Sequence, residues 1–292
     1  MEGAGWHSGP ELCTNWSRNA ESNENDTLVS SLGLSRMLSV YLIVGLFGAL
    51  VGSFLNVCIY RLPRGESIAW PGSHCPSCSH AIAWYDNIPI ISYLVLAGRC
   101  RHCKARISWR YPAVELLNAV GYVALVWFFG LEWSTAIYGL LYSALLVVTG
   151  TDLSHKIIPN VVTFPGIVVG LVSSATVLPL GLLNGLIGLL VGGGILWLLA
   201  WASPYLFGKE GMGGGDIKLL AMIGAFLGWK PALMTIMVGA FLGSIVGIAL
   251  IAAHVIKRED YIPFGPFLVC GALVSLFFGQ PLLDWYQGLL AG

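Results

Sequence analysis

Apolar stretches of about 20 residues, separated by short polar breaks, recur from position 38 almost to the C-terminus. Each can cross the roughly 30 Å hydrocarbon core of a bilayer as an α-helix, which satisfies its own backbone hydrogen bonds in lipid. The composition agrees, since 56% of the residues are hydrophobic and only 10% are charged. The pattern predicts an all-α polytopic membrane protein of about eight transmembrane helices, at roughly 38–60, 113–131, 134–151, 159–178, 182–203, 216–229, 231–254 and 262–280.

The polar breaks divide the chain into five parts. The N-terminal part is acidic and lacks an apolar core, so it is not a cleavable signal peptide, and we expect a flexible extracytoplasmic tail. The predicted parts are this tail (1–36), a first transmembrane helix (37–60), a cytoplasmic loop domain (61–112), a transmembrane catalytic core (113–280) and a C-terminal tail (281–292).

Positive charge orients the chain in the membrane. Twelve of the fifteen lysine and arginine residues fall in the long loop or in alternate later connections. By the positive-inside rule these segments are cytoplasmic, and an even number of spans leaves both termini outside. The formal net charge is zero, so charge alone indicates no partner and no nucleic-acid partner is predicted. The apolar spans make membrane lipid the expected surrounding.

Two aspartates lie at the ends of predicted spans, Asp152 after the third and Asp216 at the start of the sixth. Both fall on the cytoplasmic side, and an acid at membrane depth is costly enough to indicate a function. Two adjacent carboxyl groups share a proton and can activate water against a peptide carbonyl, which is aspartic protease chemistry. Glycines before Asp216, among them Gly213 and Gly215, would let an extended peptide approach the backbone closely.

Two other interpretations of these acids stay open at this point. Transporters use intramembrane carboxylates and glycine-broken helices as proton or cation sites. Alternatively, Asp152 and Asp216 only cap helices at the membrane interface, with Asp216 well placed as an N-cap.

The predicted loop domain contains two Cys-x-x-Cys pairs, 21 residues apart: Cys75 and Cys78, then Cys100 and Cys103. Two such knuckles are typical of a tetrahedral thiolate site for Zn²⁺. A pair of disulfides is the alternative, although the predicted cytoplasmic location is a reducing one where such bonds are rare. A loop of some fifty residues has little core, so a structural zinc ion would supply much of its folding free energy.

Motifs in one order along nearly the whole chain resemble those of the type IV prepilin peptidase family, the bifunctional leader peptidase and N-methyltransferases. They include the four-cysteine loop and both aspartates. The others are Gly52-Ser53-Phe54-Leu55-Asn56-Val57, Tyr60-Arg61-Leu62-Pro63, Tyr85-Asp86-Asn87-Ile88-Pro89, Arg110-Tyr111-Pro112 with Glu115-Leu116, Ile158-Pro159-Asn160, Gly211 to Lys218, and Ile262-Pro263-Phe264-Gly265-Pro266.

This resemblance implies a GxGD-type intramembrane aspartic protease of the bacterial inner membrane, with Asp152 and Asp216 as its catalytic dyad. Members of the family cleave type IV prepilins or pseudopilins after a short basic leader on the cytoplasmic side, in type IV pilus and type II secretion systems. They then methylate the new N-terminus with S-adenosylmethionine. Some relatives carry further acids where this chain has Ser154 and Asn160, which leaves Asp152 as the expected partner of Asp216.

Three further features allow two interpretations each. Glu115 belongs to the methylation site, or is a first-turn acid favoured by the helix dipole. The segment Pro263, Phe264 and Gly265 is an unwound stretch that binds substrate, or a plain helix start where proline is tolerated. Lys218 acts on the dyad, or extends to the membrane interface.

Overall fold

Nine α-helices account for most of the chain in the computed structural model, which describes residues 11–208, 213–257 and 262–291. Within these ranges the only β-structure is a pair of isolated bridges. The helices are α1 (Glu11–Arg61), α2 (Ile91–Val95), α3 (Arg110–Phe129), α4 (Trp133–His155), α5 (Asn160–Thr176), α6 (Leu182–Phe207), α7 (Gly214–Leu227), α8 (Trp229–Ala252) and α9 (Gly265–Ala291).

The predicted membrane fold is confirmed, and every helix except α2 lies at a predicted span. Six of them, α1, α3, α4, α6, α8 and α9, are long and apolar enough in their described residues to cross a membrane. The two others are shorter, because α5 has 17 residues and α7 only 14. At 1.5 Å per residue α7 covers about 21 Å, less than the roughly 30 Å of a hydrocarbon core.

Helical residues extend into both segments that the sequence predicts as tails. Helix α1 begins at Glu11, inside the segment 1–36, and α9 continues to Ala291 through most of 281–292. Hydropathy indicates where a helix leaves the membrane, whereas the helix itself continues as long as its backbone hydrogen bonds do. The stretch from Glu11 to Ser31 contains no glycine or proline, and α9 continues through Pro281. Positions 1–10 lie outside the described residues.

Helix α7 occupies the middle of the bundle, where it packs against α4, α5, α6, α8 and α9. All its residues from Leu219 to Leu227 are buried. It crosses α6 at Gly188 and Gly224, where a Cβ atom on Gly224 would lie only 2.1 Å from the carbonyl oxygen of Gly188. This close crossing, of the kind that small residues permit in membranes, holds the end of α7 against α6.

The cysteine-containing loop connects α1 to α3, as predicted. At its start Arg61 is buried, and its guanidinium donates hydrogen bonds to the carbonyl oxygens of Ser67 (2.9 Å) and Gly72 (3.1 Å). The last residue of α1 therefore anchors the first part of the loop.

Candidate active site

Asp152 lies in the last turn of α4 and is 4% exposed. The backbone N–H of Gly265 donates to its Oδ2 atom over 3.0 Å. A Cβ atom on Gly265 would lie 2.5 Å from this oxygen, so only glycine allows the contact. Helix α4 ends directly afterwards, where Lys156 takes a left-handed conformation (φ 55°) and its N–H bonds to the carbonyl oxygen of Asp152. The carboxyl group is thus held between the end of α4 and the start of α9.

Asp216 lies in the first turn of α7 and is 3% exposed. Gly215, the residue before it, lies against Ile158, and so does Gly265, whose N–H binds Asp152. Gly213 occupies the N-cap position, and no side chain makes a capping hydrogen bond there. The interpretation of Asp216 as an N-cap is therefore wrong, because the helix begins two residues before the aspartate. The end of α4 and the start of α7, which carry the two predicted acids, therefore meet at one turn.

Ile158 packs between the backbones that carry the two acids. Cβ atoms on Gly215 and Gly265 would lie 3.0 and 3.4 Å from its side chain. Ile158 belongs to the short turn between α4 and α5, directly before Pro159. No site role was predicted for Ile158, which is named above only as part of the motif Ile158-Pro159-Asn160.

The segment before α9 lies beside Asp152. Gly265 is the first residue of the helix, and the carbonyl oxygen of Phe264 accepts the N–H groups of Phe267 and Leu268. Pro263 is half-buried and outside the helix. Gly213 at the start of α7 is likewise half-buried and extended (φ −74°, ψ 139°). In both segments, therefore, the backbone next to the acids is not helical. Gly211, the first residue of the motif before Asp216, lies outside the described residues.

Two polar contacts tie the surrounding helices to each other. Nζ of Lys218, two residues after Asp216, donates to Oδ1 of Asn160 over 2.6 Å. Nη2 of Arg110, the first residue of α3, donates to Oγ of Ser154 over 2.9 Å. Asn160 and Ser154 are the two positions that the sequence analysis compared with the family. In this chain they are neutral partners of two basic residues.

The four loop cysteines converge on one point. Their sulfur atoms all lie within 4.8 Å of one another. A tetrahedron with metal–sulfur bonds of about 2.3 Å has edges of about 3.8 Å, and the sulfurs of Cys75 and Cys103 are 3.8 Å apart. All six cysteines that the structure describes are free, so the disulfide alternative is wrong for this loop. The thiol set fits Zn²⁺.

The two knuckles have the same backbone arrangement. The N–H of Cys75 bonds to the carbonyl oxygen of His80 (2.9 Å), and that of Cys100 to Ala105 (2.8 Å). Backbone N–H groups of Cys103 and His102 lower the pKa of the Cys100 thiol to about 7. Donors aimed at a sulfur favour the thiolate, which is the form that binds metal.

Glu115 lies on α3 away from the two aspartates. It is 8% exposed, and its Oε2 atom accepts the backbone N–H of Ile90 over 2.7 Å. Helix α3 begins at Arg110, so Glu115 belongs to its second turn, and the first turn contains no acid. The interpretation of Glu115 as a first-turn acid is therefore wrong, because the helix starts earlier than hydropathy indicated.

Two family profiles match the chain one after the other. The profile of the bacterial peptidase A24 N-terminal domain matches residues 46–129, and that of the type IV leader peptidase family matches residues 139–248. A prepilin leader peptidase/N-methyltransferase of Pseudomonas aeruginosa is 37% identical over 277 residues, which cover 86% of this chain and 95% of the relative. The chain belongs to the type IV leader peptidase family.

Other family members agree closely in length and identity. Proteins of the same name from Aeromonas hydrophila and Burkholderia pseudomallei are 37% identical over 268 residues and 36% over 260 residues. These alignments cover 84% and 80% of this chain, and 92% and 84% of the relatives. No solved structure gives a significant match. Membership favours the leader-peptidase interpretation of the aspartates and does not support the transporter alternative.

The two matched regions contain different parts of the molecule. Asp152 and Asp216 both fall in the leader peptidase region, whereas the four cysteines and Glu115 fall in the N-terminal region. Gly265 lies beyond the end of the second region, although it contacts Asp152.

Proposed function

We propose that this chain is a membrane-embedded aspartic endopeptidase that removes the basic leader of type IV prepilins or pseudopilins. Asp152 and Asp216 form its catalytic dyad. The observation that carries the proposal is that two buried acids on different helices, α4 and α7, adjoin one turn, where Ile158 lies against both Gly215 and Gly265. Family membership supplies the substrate class, since the relatives are named prepilin leader peptidases.

The dyad acts as one unit that shares a proton. Two neighbouring carboxyls cannot both ionise without a large penalty, so one is protonated while the other takes a proton from water. That water attacks the scissile carbonyl, the protonated acid polarises the carbonyl, and the protons then pass to the leaving amine. The N–H of Gly265 holds Oδ2 of Asp152, which leaves the other oxygen for proton exchange.

An extended prepilin segment binds between the two irregular backbone segments beside the acids. Gly213 and Gly215 line one side, and Pro263, Phe264 and Gly265 line the other. Pro263 lies outside the helix and Gly213 is extended, so the backbone of both segments can pair with a peptide strand.

The enzyme lies in the bacterial inner membrane and cuts on the cytoplasmic side. The positive-inside rule supports this orientation, because the arginine-rich cysteine loop and both aspartates lie on the same side of the bundle. The leader of the substrate is basic and is cytoplasmic for the same reason. The enzyme serves a type IV pilus or a type II secretion system.

Two cofactors complete the proposal. Cys75, Cys78, Cys100 and Cys103 hold a structural Zn²⁺ that stabilises the loop. S-adenosylmethionine supplies the methyl group for the new N-terminus, in line with the names of the relatives.

Cleavage of a purified prepilin in detergent tests the dyad directly. We expect Asp152→Asn and Asp216→Asn each to lower cleavage at least 1,000-fold, on the order of the loss from removing a catalytic group. Asp284→Asn is the matched control, since Asp284 is exposed on α9. Cleavage by either dyad variant at the wild-type rate would refute the proposal. If the wild type cleaves no prepilin but conducts an ion flux in liposomes that the dyad variants lose, the result would instead favour a transporter.

A further inference from the structure

The short helix α2 of the cysteine loop exposes its apolar side chains and buries its polar one. Ser92 is buried, and its hydroxyl donates to the carbonyl oxygen of Tyr85 over 2.9 Å and accepts the N–H of Ile88 over 3.0 Å. A helix that faces water has the opposite arrangement, with its apolar side toward the protein. Three of the five side chains of α2 are apolar and more than half exposed: Ile91 (55%), Leu94 (70%) and Val95 (73%).

A backbone contact sets the position of α2 along the membrane spans. The N–H of Ile90, directly before α2, donates to Oε2 of Glu115 on α3 over 2.7 Å. Glu115 lies against Gly52 of α1, where a Cβ atom would be 2.7 Å from the Cα atom of Glu115, and both residues belong to helices apolar enough to cross a membrane. Gly52 is nine residues before the end of α1, which at 1.5 Å per residue is about 14 Å. Helix α2 therefore begins beside the spans and not beyond their ends.

Side chains that face lipid occur at the same level of the bundle. Leu116 follows Glu115 on α3, and Phe54 lies two residues after Gly52 on α1. Both are at least half exposed. Because they belong to membrane spans, their exposed surfaces face acyl chains. The exposed face of α2 begins at this level, so it has the same surrounding.

The segments that flank α2 contain residues that the membrane interface favours. Trp84, in the 3₁₀ turn that packs against α2, is 81% exposed. After α2, Arg99 and Arg106 are exposed and pair across an isolated β-bridge. Tryptophan is enriched where lipid meets water, and arginine binds phosphate groups well. An apolar face bordered by such residues matches both the acyl chains and the phosphate groups of phospholipids.

We propose that α2 is an interfacial helix that docks the cysteine loop onto the adjoining membrane leaflet, with Ile91, Leu94 and Val95 among the acyl chains of phospholipids. Docking is favourable because it removes the apolar surface of three side chains from water. The loop domain (61–112) predicted as cytoplasmic is then partly embedded in the membrane. Docking of α2 does not depend on the peptidase proposal.

The docked helix lies between the two Cys-x-x-Cys pairs, with Cys78 before it and Cys100 after it. The loop is connected to α1 at one end and to α3 at the other. A third fixed point between these ends reduces the conformational freedom of the loop. Loss of docking should therefore make the peptide bonds near α2 more accessible to proteases.

Labelling of the full chain by lipid in nanodiscs tests the proposal. The probe is phosphatidylcholine with a diazirine on one acyl chain, which reacts with neighbouring protein when it is illuminated. Mass spectrometry compares the lipid adducts on α2 with those on residues 76–80, an exposed turn of the same loop. We expect adducts on α2 at about the level found on Leu116, and few or none on residues 76–80.

Two substitutions at one position separate docking from folding. Leu94→Asp puts a charge on the exposed face, whereas Leu94→Met keeps that face apolar. We expect Leu94→Asp to lower the adduct yield on α2 about fivefold or more, because a carboxylate is costly at membrane depth. Trypsin should also cut that variant faster after Arg99 and Lys104. Leu94→Met should resemble the wild type in both assays, and zinc content shows whether each loop is otherwise folded.

Three results would overturn the proposal. They are labelling of α2 no stronger than that of residues 76–80, unchanged labelling of α2 in Leu94→Asp, and a benzophenone side chain introduced at Leu94 that crosslinks to a second copy of the chain or to another protein instead of lipid. If Leu94→Asp lacks zinc, the labelling of the wild type decides the case. A chain that is labelled on α2 but cleaves no prepilin would support docking and refute only the peptidase proposal.

Discussion

Gly265 and Asp152 are 113 positions apart in the chain, yet the N–H of the first donates to the carboxylate of the second over 3.0 Å. The donor belongs to the first residue of α9, where N–H groups have no partner within the helix. The acceptor belongs to the last turn of α4. Two helix ends thus satisfy each other beside the dyad, and the contact requires that residue 265 have no side chain.

Gly265→Ala should abolish most cleavage. The new Cβ atom would lie 2.5 Å from Oδ2 of Asp152, so either the carboxylate or the start of α9 must move. We expect at least a tenfold fall in cleavage rate, because small displacements of a catalytic group have effects of about this size. Gly279→Ala on the same helix meets no atom within 4 Å and should cleave normally. Wild-type activity in Gly265→Ala would show that the contact is dispensable.

Asn160→Ala should loosen the start of α7. The substitution removes the acceptor for Lys218, a hydrogen bond to a charged group that is worth about 1 kcal/mol when partly exposed. Asn160→Asp should keep the contact as an ion pair, and its stability should fall with added salt. Thermal unfolding of the three proteins at low and high ionic strength measures both effects. A salt-independent Asn160→Asp variant would contradict the ion-pair prediction.

Cys75→Ser should release zinc and unfold the loop. Zn²⁺ binding supplies folding free energy to small domains of this kind, and the Cys75 sulfur is 3.8 Å from that of Cys103. We expect zinc content to fall well below one ion per chain and proteolysis to become rapid between residues 62 and 109. Cys270→Ser is the control, because Cys270 is a free, exposed cysteine on α9. Full zinc content in Cys75→Ser would argue against the four-thiolate site.

Gly224→Ala should destabilise the whole bundle. A Cβ atom there would lie 2.1 Å from the carbonyl oxygen of Gly188 and push α6 away from α7. Overpacking of this kind costs about 1–3 kcal/mol. Gly194→Ala on α6 meets no atom within 4 Å and should be neutral or slightly stabilising. Thermal unfolding in one detergent compares the two variants, and equal stability would contradict the predicted steric contact.

Local composition determined much of this protein. Hydropathy located eight helices, since a bilayer requires a long apolar helix whatever its neighbours are. Charge placed Asp152 and Asp216 on one side, and cysteine spacing indicated a thiolate cluster that the structure contains. Each of these features depends on residues close together in the chain, so their pattern is visible there.

Tertiary structure alone decided how these parts meet. Gly265 contacts Asp152, Ile158 packs against Gly215 and Gly265, and Glu115 accepts the N–H of Ile90. All of these contacts join residues that are distant in sequence. Hydropathy also misplaced the starts of α1 and α3 and the end of α9, because it reports membrane depth rather than backbone hydrogen bonding. The dyad depends on how the helices pack against one another in three dimensions. The apolar pattern of the sequence does not specify that packing.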